Sequence, residues 1–514
     1  MIKNKKLGLF DATLLVSGSM IGSGIFLVSA DMTRQLGSGP LVLFAWLLTG
    51  IITIMAALSF GELAAMMPNA GGQYNFVSRI YGKKMGFVYG WSVFSVIQTG
   101  VIAAVAMAFA KHLGIFNENL GHQNIVLALS VMGFKWNISA GQLIAISSIL
   151  VLSCINAMGI QQGKWIQRIF TLAKLIALGA LIFGGLYIAF GGSLMGVKNY
   201  LWENLSSTFQ PSQFEALSSQ PGYVSKPLLG GWQSLAGIGL LLAFSSAMVG
   251  SLFSSDAWQG ITFMSGEVSN PSKTIPRALL YGTVIVTIIY CLSNVAYMAL
   301  LPIRGDESVL LANGGYVEAV HLGIAHANQD RVGASAASVL VGANHDASAG
   351  MMGLLCMAGL IMVSTFGCNN GLILAGSRLY QAMAEKGYFF KAASRLNSRG
   401  VPENALWMQA FWASVLCLSG TYGDLLSYCT FASLLFYIIT VAGVLVLRKR
   451  EPNAERPYMV WGYPYLPILY ILLAGFIALG IIIGQWKIAL TGIGIVALGW
   501  PIYYIFNRNK KTQG

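Results

Sequence analysis

The chain has 514 residues, of which 56% are hydrophobic and 10% charged, and its formal net charge is +13. Soluble globular domains carry about 25% charged residues, so this composition excludes an ordinary soluble protein and predicts an integral membrane protein. We ascribe the positive charge to the loops of such a protein and predict lipid, but no nucleic acid, as a partner.

Twelve segments lack Asp, Glu, Lys and Arg over about 19 residues or more, enough for a helix to cross the ~30 Å hydrocarbon core. They are residues 12–30, 41–60, 85–110, 136–163, 175–197, 227–255, 278–303, 347–377, 404–423, 425–447, 457–486 and 488–507. The first segment carries a glycine motif and leads into a second span. We therefore predict that it is helix 1 and not a cleaved signal peptide.

Basic residues predict the orientation of the spans. With the N-terminus inside, the inner loops contain 22 Lys and Arg residues and the outer loops 8, while Lys174 falls within the membrane. The positive-inside rule then predicts a cytoplasmic (inner) membrane protein with both termini in the cytoplasm. Residues 1–514 form one polytopic domain in this interpretation. The outer loop 304–346, rich in Gly, Ala, Ser and Asn, is interpreted as an insertion with little fixed structure.

Cysteine and histidine give no sign of a disulfide or a metal site. All six cysteines fall within hydrophobic segments, so we predict no structural disulfide. The five histidines, at positions 112, 122, 321, 326 and 345, lie in or beside outer loops without metal-ligand spacing, and we interpret them as solvated. We predict no metal and no cofactor.

Two of the spans carry polar or glycine-rich interruptions: Gly18–Phe26 in the first and Ser254–Gly260 in the sixth. An unwound backbone survives at membrane depth only where it lines a cavity enclosed by protein, which makes these breaks the predicted substrate site. Because the breaks are offset by five helices, they predict an inverted repeat. Its halves are about 8–191 and 232–448, and helices 11 and 12 follow at about 457–507.

Four segments resemble one transporter family. The first, in helix 1, reads Val16-Ser-Gly-Ser-Met-Ile-Gly-Ser-Gly-Ile-Phe26 and resembles the signature of the amino acid-polyamine-organocation (APC) superfamily. The others are Phe253-Ser-Ser-Asp-Ala-Trp258 followed by Gly266 to Arg277, then Phe366-Gly-Cys-Asn-Asn-Gly371 running into Ser377-Arg-Leu-Tyr380, and Arg448 to Pro457. Together they are similar to the L-type amino acid transporter branch. The resemblance implies an all-α membrane protein of about 12 transmembrane helices with a LeuT-like 5+5 inverted repeat and broken helices 1 and 6.

The resemblance also implies which atoms bind substrate. The N–H groups near Ser23, Gly24 and Ile25 would hold a carboxylate, aided by the positive end of the half-helix that follows. Carbonyls at the end of the first half-helix and at the helix 6 break would accept hydrogen bonds from the α-amino group. The predicted substrate-binding residues are Ser19, Met20, Ile21, Gly22, Ser23, Gly24, Ile25, Phe253, Ser254 and Ser255, with Ser433 as a further pocket candidate.

Three residues, Phe253, Asp256 and Lys174, are predicted to gate or couple transport. Phe253 occupies the family position of an aromatic lid, although a core aromatic is the alternative. Asp256 is interpreted as a helix-breaking or gating residue, with binding of a cationic substrate and proton coupling left open. Ala257 stands where the family often has Gly, so we expect a tighter break.

Lys174 is the one basic residue well inside the hydrophobic region. The resemblance implies that its ammonium replaces the sodium ion of sodium-coupled proteins with this fold. It would bond to helix 1 carbonyls and to Ser364, Thr365 or Asn369 of helix 8. The alternative is a side chain that extends to the cytoplasmic surface.

The sequence thus predicts sodium-independent exchange of small L-amino acids, with neutral ones preferred, by alternating access. A proton-coupled symporter, an exchanger of cationic amino acids or polyamines, and an amino acid sensor without transport are the alternatives. A channel or a membrane enzyme is disfavoured, because neither a polar pore nor a catalytic cluster is evident. Relatives in animals link to an accessory glycoprotein through a cysteine between helices 3 and 4. Residues 114–140 contain no cysteine, so we expect a prokaryotic, single-subunit transporter.

Overall fold

The computed structural model describes residues 7–121, 123–131, 134–192, 197–206, 237–305, 319–342, 347–419 and 422–511, and these residues are mostly helical. In chain order the helices are α1 Leu9–Met20, α2 Gly24–Leu36, α3 Gly39–Met66, α4 Gly72–Tyr81, α5 Lys83–Ser92, α6 Gln98–Phe116, α7 Ala140–Ala157, α8 Ile160–Ala189, α9 Leu201–Leu205, α10 Ile238–Ser254, α11 Gly260–Phe263, α12 Pro271–Leu300, α13 Ala319–Leu322, α14 Val332–Leu340, α15 Ala347–Glu385, α16 Glu403–Ser419, α17 Tyr422–Arg450, α18 Tyr465–Gly484 and α19 Trp486–Lys511. A π-helical turn, Val93–Ile97, joins α5 to α6, and two strands, β1 Ile125–Val131 and β2 Phe134–Ser139, precede α7.

The predicted all-α membrane fold is confirmed. Within the described ranges, nine helical stretches are long and apolar enough to span a membrane, and α1 with α2 would make a tenth span, bent by 41°. Each of the twelve predicted segments overlaps a helix or this bent pair, although α10 and α16 have only 17 residues each. The count of twelve spans and the inverted repeat remain predictions.

Local sequence explains how the bent pair connects to the next span. Gly37 ends α2 because it adopts a left-handed conformation, with φ of +58°, from which its N–H bonds to the Thr33 carbonyl. Pro40 then lies in the first turn of α3, where its missing N–H costs no helical hydrogen bond. The chain therefore reverses over a few residues and packs α2 against α3.

Part of the outer loop is ordered, so the expectation of little fixed structure is wrong for residues 319–342. That stretch contains α13 and α14, and Gly333 lies so close to Phe26 that an added Cβ would be 2.7 Å from the ring. Small residues let α14 pack tightly, which their low-complexity pattern concealed. Residues 306–318 and 343–346 lie outside the described residues.

An ion cluster anchors this ordered loop to the helices. Asp330 accepts a hydrogen bond from Arg34 at 2.7 Å, and the Lys111 ammonium lies 3.7 Å from its other oxygen. Burial alone would raise the pKa of Asp330, but Arg34 and Lys111 outweigh it and hold the pKa below its usual range. The carboxylate therefore stays charged and ties the ends of α2 and α6 to the start of α14.

Two other sequence interpretations also need correction. His112 and His326 are 0% and 3% exposed, so neither is solvated. His112 lies in α6, and its Nδ1 is 2.9 Å from the Ala108 carbonyl of the same helix. His122 and His345 lie outside the described residues.

The fourth predicted span begins later than expected, at Ala140, because residues 134–139 pair as a strand.

Glu62 is a buried acid that the sequence analysis did not identify. It lies in α3, is 1% exposed, and receives two hydrogen bonds from Arg448, at 2.9 and 2.7 Å. Arg456 Nε is 3.5 Å away, and the Val460 N–H donates to the same carboxylate at 2.7 Å. This carboxylate joins α3, α17 and the segment before α18 at the end of the bundle richest in Lys and Arg.

We expect Glu62→Gln to lower the free energy of unfolding by about 3 kcal/mol, because breaking a buried ion pair leaves the remaining charge uncompensated. The measurement is the thermal unfolding midpoint of the purified protein in detergent. Glu451→Gln is the matched control, since Glu451 pairs with Arg79 in partial contact with solvent and should cost less than about 1 kcal/mol. Equal shifts for the two variants would contradict a structural role for Glu62.

Candidate functional site

The first break, residues 21–23, separates α1 from α2. The Gly22 N–H turns back to the Met20 carbonyl at 2.8 Å, which ends the helical pattern. The first N–H groups of α2 have no carbonyl partner within their own helix, and they carry its positive dipole end. Ile21, Ser23 and Ile25 are fully buried. The break thus presents N–H donors inside the protein, as an anion site requires.

The second break, residues 255–259, separates α10 from α11 and is longer than the first. Ala257 adopts φ of +69°, the left-handed conformation that Gly reaches without strain. Alanine therefore does not prevent the break. The conformation costs an alanine roughly 1–2 kcal/mol, which the surrounding contacts must offset.

The two breaks touch each other through Gly24 and Ser254. A Cβ added to Gly24 would lie 2.0 Å from Ser254 Oγ and 2.9 Å from its Cα. Gly22 is nearly as confined, because a Cβ added there would lie 2.9 Å from Cys368 Sγ of α15. This thiol donates to the Ser19 carbonyl at 3.0 Å. Glycine is therefore needed for close backbone approach at both positions.

Tyr290 of α12 connects the ends of the two half-helices. Its hydroxyl lies 2.9 Å from the Met20 carbonyl and 2.9 Å from the Ser254 carbonyl. These two carbonyls belong to the set predicted to accept hydrogen bonds from a substrate amino group. The phenol brings them to one point, next to the N–H donors of α2.

Lys174 reaches the first break from α8. Its ammonium donates to the Gly18 carbonyl at 2.5 Å and to the Ile21 carbonyl at 2.7 Å, and the residue is 1% exposed. The alternative of a side chain extending to the surface is therefore wrong. Ser364 donates to the same Ile21 carbonyl at 3.3 Å, whereas Thr365 bonds to carbonyls of its own helix. Ser364 and Thr365, which lie in α15 (helix 8 of the sequence analysis), therefore do not bond to Lys174 as expected. Ser364 and Lys174 instead donate to the same Ile21 carbonyl.

Asp256, in the second break, turns toward α17. Its carboxylate accepts hydrogen bonds from the Tyr437 hydroxyl and from Ser433 Oγ, the latter at 3.3 Å. A small cavity lies beside it. Hydroxyl side chains of Thr53 and Thr430 also line this cavity. The carboxylate is thus held by hydroxyl groups.

Phe253 and Tyr422 lie beside the first break. Phe253 is 6% exposed, and its ring meets the Tyr422 ring edge-on with centroids 6.1 Å apart. The Tyr422 hydroxyl lies 3.3 Å from Ser23 Oγ. An aromatic pair contributed by α10 and α17 therefore lies beside Ser23 of the first break.

The structure brings most of the predicted residues together and adds Tyr290, Tyr422, Cys368 and Tyr437, which sequence reasoning missed. A signal for Tyr290 exists in the sequence. Tyr290, Ser293, Asn294 and Tyr297 recur at helical spacing in an apolar segment, which marks one polar face. Tyr297 reaches the Ile25 carbonyl at 3.3 Å, and Asn294 accepts a hydrogen bond from Ser29 at 2.7 Å, so this face of α12 lines the bent pair.

Comparison with known proteins agrees with this geometry. The sequence model described as amino acid permease matches residues 7–505, nearly the whole chain. The chain belongs to the amino acid permease family. The predicted resemblance to APC superfamily amino acid transporters is thereby confirmed, and this permease is a multi-pass membrane protein.

Characterised relatives cover almost all of the permease. The serine/threonine exchanger SteT of Bacillus subtilis is 29% identical over 99% of this chain and 98% of its own length. The large neutral amino acids transporter small subunit 2 of Homo sapiens is 27% identical over 98% of this chain and 80% of its own. The b(0,+)-type amino acid transporter 1 of Mus musculus is 26% identical, with coverages of 98% and 88%. All three are named for amino acid transport or exchange.

We expect Gly24→Ala to reduce amino acid transport by the permease about tenfold or more, because overpacking costs about 1–3 kcal/mol where the two breaks touch. Initial transport rates in liposomes measure this, with Gly179→Ala as the control, since no atom lies within 4 Å of a Cβ at that helical position. The double variant Gly24→Ala with Ser254→Gly should regain part of the rate. Wild-type transport in Gly24→Ala would contradict close contact as a requirement.

Proposed function

We propose that this permease exchanges small neutral L-amino acids across the cytoplasmic membrane without sodium, by alternating access around the two breaks. The proposal includes both termini in the cytoplasm, an inverted repeat of helices 1–5 and 6–10, and action without a covalently attached accessory subunit. The absence of cysteine from residues 114–140 supports the last point.

The observation that carries the proposal is the pairing of opposite polarities at the breaks. N–H donors at the start of α2 suit a carboxylate, and the Met20 and Ser254 carbonyls suit an ammonium group. Tyr290 holds those two carbonyls within 2.9 Å of one hydroxyl. A carboxylate and an ammonium group attached to one carbon are the constant part of every α-amino acid. Recognition of the backbone zwitterion follows, with the side chain left to the surroundings.

Lys174 supports sodium independence. Its ammonium already donates to two carbonyls of the first break, at 2.5 and 2.7 Å. A cation coordinated by those oxygens would have to displace it or lie against its positive charge. The fixed ammonium therefore supplies the positive charge that a bound ion would otherwise bring to this place.

The environment of Asp256 supports a neutral substrate. The Tyr437 and Ser433 hydroxyls already donate hydrogen bonds to its oxygens, so a cationic side chain would have to replace them. The name of the Bacillus subtilis relative, a serine/threonine exchanger, is in keeping with a small polar substrate.

Cationic amino acids are the second candidate substrates, because the acidic residue Asp256 lies in the second break. Its hydrogen-bond partners are hydroxyl groups, and within the described ranges none of them is a basic side chain. Binding of a cationic side chain would require Tyr437 to rotate away. Arginine therefore belongs in the substrate panel beside serine, threonine and alanine.

The deciding experiment is uptake of labelled amino acids into liposomes that contain the purified permease. We expect serine or alanine uptake only when the liposomes are preloaded with amino acid, and equal rates in sodium and choline buffers. Uptake into unloaded liposomes under an inward proton gradient would replace exchange with symport. Binding without any uptake would indicate a sensor, and faster arginine than serine uptake would favour the cationic substrates.

We expect Lys174→Met to reduce exchange at least tenfold, since it leaves the Gly18 and Ile21 carbonyls without their charged donor, which costs about 1–3 kcal/mol. The initial exchange rate of this variant is compared with that of Lys487→Met. Lys487 lies at the start of α19, far along the chain from the breaks. Serine binding measured by thermal shift should weaken in parallel. Wild-type rates in Lys174→Met, or strict dependence of the wild type on sodium, would refute this role.

A further inference from the structure

A two-faced β-hairpin stands between α6 and α7, on the side that the positive-inside rule assigns to the outside. β1 and β2 pair antiparallel; after a register shift between Ile125 and Leu127, five consecutive pairs run regularly from Leu127 opposite Ile138 to Val131 opposite Phe134. Residues directly opposite each other in an antiparallel pair lie on the same face, and alternate positions share a face. The register therefore sorts the hairpin positions into two sets.

One set is entirely apolar and the other mostly polar. The first face has Leu127 opposite Ile138, Leu129 opposite Trp136, and Val131 opposite Phe134. The second face has Ala128 opposite Asn137 and Ser130 opposite Lys135. Such a separation is typical of an antiparallel sheet with one face in water and the other against an apolar surface.

On the apolar face, Leu127 is exposed and Ile138 is half-buried. Leu127 is 46% exposed, and at the base of the hairpin Ile125 and Val126 are 51% and 56% exposed. A two-stranded hairpin is marginal in water by itself and needs a surface for its apolar face. Some other apolar phase must therefore meet it.

The exposed apolar surface continues from the hairpin onto the flanking helices. Phe116, at the end of α6, is 50% exposed, and Leu143, in the first turn of α7, is 43% exposed. Leu150 and Val151 extend the same kind of surface along α7, a helix long and apolar enough to span the membrane. Exposed apolar side chains on a membrane-spanning helix suit lipid, and the hairpin adjoins such a helix.

We propose that the hairpin lies in the outer headgroup region of the bilayer, with the face of Leu127 and Ile138 against the acyl chains and the face of Ala128 and Asn137 toward water. The headgroup region also suits the backbone, because the outer edges of two strands can remain hydrated there and could not in the hydrocarbon core. A tryptophan and a lysine at neighbouring positions, Lys135 and Trp136, fit the composition of interfacial segments. Lipid is favoured over a protein partner because exposed apolar side chains continue from the hairpin along α7, a helix long and apolar enough to span the membrane.

Photo-crosslinking of the full-length protein in nanodiscs tests this arrangement with two neighbouring positions. A benzophenone amino acid replaces Leu127 in one variant and Ala128 in the other, which lie on opposite faces by the register. Each nanodisc holds one chain, and mass spectrometry counts lipid adducts. Monodisperse elution and retained ligand-free thermal stability establish that both variants fold.

We expect lipid adducts at position 127 to exceed those at position 128 several-fold. Equal yields at the two positions would overturn the proposal, and so would cross-links from position 127 to a second chain in liposomes in place of lipid. Neither readout uses transport, so a failure here is distinguishable from a failure of the exchange assay.

Discussion

Met20 and Ser254 end the half-helices at the two breaks, and their carbonyls share one hydroxyl group, that of Tyr290. In a bilayer every backbone polar group needs a partner inside the protein, so a helix can be interrupted only where side chains or a ligand satisfy the freed groups. Tyr290, Lys174 and Cys368 do this for the carbonyls of the first break. The freed N–H groups of α2 face the same interior, which makes them available to a carboxylate.

Three buried ionisable side chains differ in their hydrogen-bond partners. Lys174 is positive and is held by backbone carbonyls, whereas Asp256 accepts hydrogen bonds from hydroxyl groups. Glu62 is paired directly with arginine at the end of the bundle. The ion pair of Glu62 is a structural tie between helices, whereas the two residues near the breaks are hydrogen-bonded to neutral dipoles.

Contacts between separate segments lie on both sides of the breaks. On one side Phe253 meets Tyr422, which lies beside Ser23, and Asp330 joins α2 and α6 to the ordered outer loop. On the other side the Leu7 N–H bonds to the Glu267 carbonyl at 2.8 Å, and Glu267 pairs with Arg378 at 2.7 Å. Alternating access in the proposed cycle would have to open these contacts one side at a time, around the fixed contact of Gly24 with Ser254.

The sequence by itself determined the membrane fold, the family and the positions of both breaks, because apolar span length, glycine spacing and an acid at membrane depth are local properties that a chain displays in order. It also led to Lys174, since a charge within an apolar span is conspicuous. Only the tertiary structure decided which atoms meet. Tyr290, Tyr422 and Tyr437 lie 30 residues or more from their partners, the register of the hairpin separates its faces, and small residues in the outer loop form α14 by packing on Phe26. Such contacts depend on helix packing across the bundle, which no local pattern encodes.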